Sequence, residues 1–243
     1  MNYEIQIQNY KIGKKHPPFI VAELSANHNG SLDRALAIVD AAKKAGCHAV
    51  KLQTYTADSL TLNLKKGRFY IDDPKSLWHG KTLYELYQEA ALPYEWHKPL
   101  LERIKSHGMV GFSTPFDEAA VDFLEKLNVP CYKIASLEIV DLQLIAKCAS
   151  TKKPLFLSTG GATLDEIKEA VETARQNGCK DLILLKCTAS YPAEAKSFNL
   201  NTLPNLEETF QTVVGLSDHS SGSEVAIGAV ALGASVIEKH FTL

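Results

Sequence analysis

Two histidines, His219 in VVGLSDH and His240 in VIEKHFT, end the last two strand-like segments of this 243-residue chain. Adjacent strands of a parallel barrel carry such ends to one rim, where two imidazoles supply part of a divalent-metal shell. Water, substrate or a carboxylate would complete that shell, and a hydrogen-bonded structural role fits each ring equally well. Lys51 in AVKLQT and Lys133 in CYKIAS each interrupt an apolar run. A buried ammonium is costly unless it meets an anion, so two converging lysines point to a phosphate or carboxylate ligand. Pairing with a neighbouring glutamate competes with that reading for either lysine alone. The hydroxyls of Thr114, Ser136, Ser158 and Ser217 follow similar runs, placed to bond the same anion or their own loops. Glu23 and Glu138 are candidates for proton transfer if burial raises their pKa values. Tyr191, beside Pro192, either covers a ligand or anchors its loop.

These residues need a scaffold that gathers strand ends. Short β-branched runs start at Phe19, Ala49, Val110, Cys131, Pro154, Asp181, Val213 and Ser235. Helical periodicity lies between most of them, as in Leu32, Ala35, Leu36 and Val39, or in Leu164, Ile167, Val171 and Ala174 after the capping box Thr163 to Glu166. Eight βα units predict a (β/α)8 TIM barrel occupying residues 1–243 as one catalytic domain. The alternating stretch YEIQIQNYKIG predicts a short hairpin at the barrel's bottom. Residues 55–92, rich in aromatics, are too long for an ordinary βα loop and predict a partly ordered lid after the second barrel strand.

A net charge of -2 gives no basic footprint for nucleic acid, so small-molecule partners are expected. Five cysteines without C-x-x-C spacing indicate neither a disulfide framework nor a zinc site and fit a reducing cytoplasm. No apolar run is long enough to span a bilayer. His16, His28, His48, His79, His97 and His107 fall in helices or loops, where surface placement is expected.

The segments AELSANHNG, KLQTYTADSL, FSTPFD, YKIAS, LSTG, LLKCTASYP, GLSDHS and ALGASVIEKHFTL, in that order over nearly the whole chain, resemble the barrel domain of the sialic acid synthase family. The resemblance implies a transferase that condenses phosphoenolpyruvate with the open-chain aldehyde of an N-acetylated amino sugar and releases phosphate by carbon-oxygen cleavage. It matches Lys51, Thr114, Lys133, Ser136, Ser158 and Ser217 to phosphoenolpyruvate, His219 and His240 to a divalent metal, and Glu23 to a catalytic acidic residue. Manganese is the expected ion, with magnesium and cobalt as alternatives. Lys51, Lys133 and Glu138 join Glu23 in the expected catalytic set, and Asn27, Gln53 and Tyr191 are assigned to the sugar.

Within the family, ELSANHN and the loop SLWHGKTLYELYQEA look most like the bacterial branch acting on 2,4-diacetamido-2,4,6-trideoxy-altrose. N-acetylneuraminate and legionaminate synthases are the alternatives in the same chemistry. Two departures from sialic acid synthases, Ala189 for Asn and Trp78 where a sugar-contacting Asn aligns, imply a sugar other than N-acetylmannosamine. Family members also carry a small antifreeze-like domain that completes a homodimeric site; this sequence stops at Leu243. Two readings from other classes stand beside this one. One is a Schiff-base aldolase using Lys133 or Lys186. The other is a ligand-binding barrel inactive without its second domain.

Overall fold

The structure, a computed structural model, describes residues 3–76 and 78–243. Its first elements are the antiparallel strands β1 (Ile5–Ile7) and β2 (Tyr10–Ile12). Eight parallel strands then close into a barrel: β3 (Phe19–Glu23), β4 (Ala49–Thr54), β5 (Val110–Pro115), β6 (Tyr132–Ile134), β7 (Leu155–Ser158), β8 (Leu182–Cys187), β9 (Val213–Asp218) and β10 (Val236–His240). The barrel closes where β10 pairs with β3.

Helices alternate with these strands. α1 (Leu32–Lys44) follows β3. The short α2 (Ala57–Leu60), α3 (Leu83–Ala90) and α4 (Tyr94–Ser106) lie between β4 and β5. α5 (Glu118–Lys126), α6 (Leu142–Ser150), α7 (Leu164–Gln176), α8 (Thr202–Phe210) and α9 (Glu224–Ala231) follow β5 to β9 in turn. The capping box read from the sequence starts α7, with Thr163 N donating to Glu166 Oε2 at 2.7 Å and Glu166 N donating to Thr163 Oγ1 at 3.3 Å.

Side chains alternate along each strand, so every second residue points into the barrel. The lower inward positions are apolar, among them Val21, Ala49, Phe112, Cys131, Phe156, Leu185, Val213 and Val236. The Phe112 and Phe156 rings stack across this interior with centroids 5.3 Å apart. Gly215 is required there: a Cβ would stand 2.6 Å from the Val236 carbonyl oxygen and 2.8 Å from Leu185 Cδ2. Outward positions such as Val50, Leu52, Tyr132, Leu157, Leu184 and Leu216 pack on the helices.

The hairpin plugs the bottom. Ile5, Ile7 and Ile12 join the same apolar interior, and the Tyr10 ring meets Phe19 edge-on at 5.3 Å. The barrel is therefore sealed below, and its inward columns become polar only toward the C-terminal ends of the strands.

The lid is partly ordered, as short helical elements joined by turns and loops. Capping boxes start α2, between Thr56 and Ser59, and α3, between Thr82 and Glu85, while a bridge pairs Tyr70 with Thr82. Leu77, within the loop singled out from the sequence, lies outside the described residues.

Candidate active site

The period-two rule carries each inward column up to one cavity of about 620 Å³ at the C-terminal mouth of the barrel. One step above the apolar layer stand Glu23, Lys51, Lys133, Ser158, Cys187, Ser217 and Glu238, all buried and all lining it. A step higher come Gln53, His219 and His240.

At the floor, Glu23 and Lys51 form an ion pair, and Lys51 Nζ also donates to Thr114 Oγ1 at 3.1 Å and stands 3.8 Å from Glu238 Oε2. Lys133 Nζ is 3.8 Å from Glu238 Oε1 and donates to the Ile134 carbonyl at 3.1 Å. Glu238 thus sits between the two lysines, oriented by the Ser217 hydroxyl at 2.9 Å.

Burial and charge set the proton affinities of this quartet. Burial raises the Glu23 pKa despite the opposing Lys51 charge. Burial also acts on Glu238, but Lys133 and Lys51 outweigh it and keep that carboxylate ionised. For Lys51 burial favours loss of the proton, while Glu23 and Glu238 reverse the balance and raise its pKa. Burial prevails at Lys133 and lowers it. Glu138, farther up the wall, is raised mainly by burial. Glu23 is consequently the carboxyl of the quartet suited to holding a proton, and a protonated Glu23 leaves a positive floor able to receive an anion.

Four hydroxyls were expected around that anion, and the structure separates their positions. Ser158 Oγ is buried with no hydrogen-bond partner among the described residues, an orphan that a ligand oxygen would satisfy. Ser136 Oγ accepts from Gly160 N at 3.1 Å, and Ser217 engages Glu238. Thr114 contacts Lys51 and is absent from the cavity lining. Gly160 has a steric role here, since a Cβ would stand 2.8 Å from Ser136 Oγ.

The His219 and His240 rings come together at the rim with centroids 5.6 Å apart, and Tyr191 lies over His219 at 4.1 Å. β9 and β10 hold them in register: Lys239, partner of Asp218 in the ladder, donates to Asp218 Oδ2 at 2.7 Å and to the Ser220 carbonyl at 2.6 Å. His219 Nδ1 donates to the Thr188 carbonyl at 3.0 Å, leaving Nε2 as the nitrogen able to ligate. Burial, then the charges of His219 and Lys51, lower His240 to about 4, so its ring is neutral near pH 7. Burial lowers the His219 pKa, but the Cys187 thiol and the Thr188 carbonyl outweigh burial and raise it; with both rings neutral, the two imidazoles would fit a divalent cation. No group of three or more His, Cys, Asp or Glu residues arranged for a metal occurs among the described residues, so oxygen ligands from water or substrate would complete the shell.

Other predicted residues are dispersed. Gln53, Glu138 and Tyr191 line the cavity, whereas Asn27 does not; its amide donates to the Phe241 carbonyl at 3.2 Å. Lys186 points away from the interior, donating to the Cys187 carbonyl at 2.7 Å, and does not line the cavity. The surface placement expected for His28 and His97 is corrected: both are buried. Trp96 packs edge-on against His28, and His97 Nε2 meets Thr54 Oγ1 at 2.8 Å inside the protein.

Glu238 and Cys187 were missed. Glu238 was legible in principle, because counting back two residues from His240 reaches it on the same strand face. Cys187 Sγ lies 3.8 Å from His219 Nδ1; burial raises its pKa, but His219 and Ser136 more than offset this.

With this geometry in place, comparison with known proteins is decisive: residues 38–243 match the model of the NeuB family. The chain belongs to the NeuB family. It is 48% identical over 239 residues to the pseudaminic acid synthase of Campylobacter jejuni, covering 98% of this chain and 68% of that protein. It is 42% identical to the N,N'-diacetyllegionaminic acid synthase of Legionella pneumophila, covering 93% of this chain and 64% of that protein. Among solved NeuB-like structures, the N-acetylneuraminic acid synthetase of Leptospira borgpetersenii superposes with a TM-score of 0.89 at 33% identity, over 100% of this chain and 79% of that one.

Proposed function

We propose that this chain is the catalytic barrel of a pseudaminic acid synthase, which joins phosphoenolpyruvate to open-chain 2,4-diacetamido-2,4,6-trideoxy-altrose and releases pseudaminate and phosphate. The observation that carries the reading is the gathering of Lys51, Lys133, Glu23 and Glu238 below His219 and His240 in one cavity. Higher identity to a pseudaminic than to a legionaminic acid synthase favours this sugar over the alternatives.

The chemistry assigns work to each group. C3 of phosphoenolpyruvate attacks the aldehyde carbon, and the aldehyde oxygen gains a proton to become a hydroxyl. Water adds at C2, the C2–O bond then breaks, and phosphate departs while C2 becomes a ketone. Lys51 and Lys133 hold the phosphate and carboxylate charges, and the Ser158 and Ser136 hydroxyls bond their oxygens. Glu23, with its raised pKa, moves the proton, and Glu138 is the second carboxyl within the same cavity. Glu238 keeps the lysines protonated and apart. His219 and His240 would hold a divalent cation, manganese in this reading, and that ion supplies Lewis-acid polarisation of the aldehyde oxygen. Dimerisation and a further domain belong to this proposal as well.

Phosphate release measured against a sugar panel tests it. Turnover with the diacetamido-trideoxy sugar above that with N-acetylmannosamine is expected. Turnover with N-acetylmannosamine and none with the trideoxy sugar would overturn it.

A further inference from the structure

The cavity has two chemically distinct sides, of which the charged floor is one. Above it, the inward column of β4 runs Lys51, Gln53 and then Tyr55, so the chain leaves the strand by laying an aromatic ring across the mouth. Tyr55 is buried and clamped edge-on between Phe116, at 5.4 Å, and Tyr87, at 6.1 Å. Phe116 follows β5, Tyr87 comes from α3, and Leu60 at the end of α2 lines the same wall. Edge-to-face clusters of this kind are stiff, and burying them in a lid gives a preformed apolar surface.

The ring faces and the Leu60 side chain of this wall offer a sugar hydroxyl no partner for the water it would lose there, the Tyr55 and Tyr87 phenol oxygens alone being able to bond one. The wall suits methyl groups. Gln53, between Lys51 and Tyr55, sets a carboxamide at the junction of the polar and apolar sides. A carboxamide can donate to and accept from a second amide, while the rings beside it receive that amide's methyl.

We propose that Tyr55, Tyr87, Phe116 and Leu60 form a methyl-reading subsite that takes the methyl of the C4 acetamido group, which N-acetylmannosamine lacks, with Gln53 bonding that group's amide. This rests on the function proposed above and names the residues that set its selectivity. It assigns discrimination between the diacetamido-trideoxy sugar and N-acetylmannosamine, which bears a hydroxyl at C4, to the lid, away from the lysines and histidines.

The test uses the reduced, open-chain alditols of the diacetamido-trideoxy sugar and of N-acetylmannosamine, titrated calorimetrically, with phosphate release measured on the parent sugars. Wild-type protein should prefer the trideoxy ligand. Tyr87→Ser should lower that preference about tenfold to a hundredfold, the range one apolar contact supplies, with the KM for phosphoenolpyruvate unchanged. Tyr87→Leu, which stays apolar, should retain the preference, separating lost methyl contact from a disturbed lid. An unchanged preference in Tyr87→Ser, or an equal loss for both ligands, would overturn the subsite. Binding of neither alditol by wild-type protein, together with no phosphate release, would instead overturn the underlying functional reading.

Discussion

Glu23 and Glu238 show how environment separates two chemically similar residues. Both are buried carboxyls beside lysines, yet Glu238 lies between two ammoniums and stays ionised, whereas burial dominates at Glu23 and raises its pKa. Replacing Glu23 with Gln preserves shape and an acceptor for Ser25 N, which now donates to Glu23 Oε1 at 3.0 Å. Glu23→Gln should therefore fold while kcat falls by about 10²–10⁴, the usual contribution of a positioned proton-transfer group. Steady-state phosphate release beside a thermal melt checks both halves of that expectation. The lysines were legible because an ammonium inside an apolar strand demands an explanation. Glu238 was less so, legible only by counting back along the strand face from His240, since Lys239 and His240 beside it made the polar end of β10 look like an ordinary strand terminus.

At the scale of elements, the strands were readable because parallel strands buried on both faces are short, nearly continuous apolar runs. The hairpin followed from its alternation, and its position below the barrel agrees with the structure. Burial of His97 was beyond such patterns: it depends on α4 docking against β4 and β5, a tertiary event. Its Nδ1 donates to the Pro93 carbonyl at 3.1 Å, Thr54 Oγ1 donates to its Nε2 at 2.8 Å, and Ser113 Oγ donates to Thr54 Oγ1 at 2.6 Å. This chain fixes the strand ends that carry Gln53 and Thr114. Burial lowers the His97 pKa, so the folded state holds it neutral while the unfolded chain takes up a proton below roughly pH 6.5. Stability from this residue is present above that pH and is lost as pH falls toward the folded value. Melting measured across that window should show a shallower acid loss in His97→Gln than in the wild type. Equal slopes would remove His97 from the acid response.

The whole molecule is a sealed cup. Its hairpin closes the bottom, its apolar layers fill the middle, and its chemistry is confined to the upper rim and floor of one cavity. That division explains why the barrel, the lysines and the paired histidines could be anticipated, while the composition of the lid wall had to await the folded chain: Tyr55, Tyr87 and Phe116 converge from separate elements. It also localises the metal proposal. Chelation should abolish phosphate release and manganese restore it, with the melting transition retained, because no barrel strand depends on the ion for its hydrogen bonds. Loss of the transition on chelation would assign the ion to the fold instead.

The central claim, that this cavity condenses phosphoenolpyruvate with an aldehyde and breaks its C2–O bond, is tested most directly with phosphoenolpyruvate carrying ¹⁸O in the bridging position. Turnover with the diacetamido-trideoxy sugar should deliver the label to inorganic phosphate, and none should be released without the sugar. Label retained in the carbon product, or borohydride trapping of a pyruvate adduct on Lys133, would contradict it.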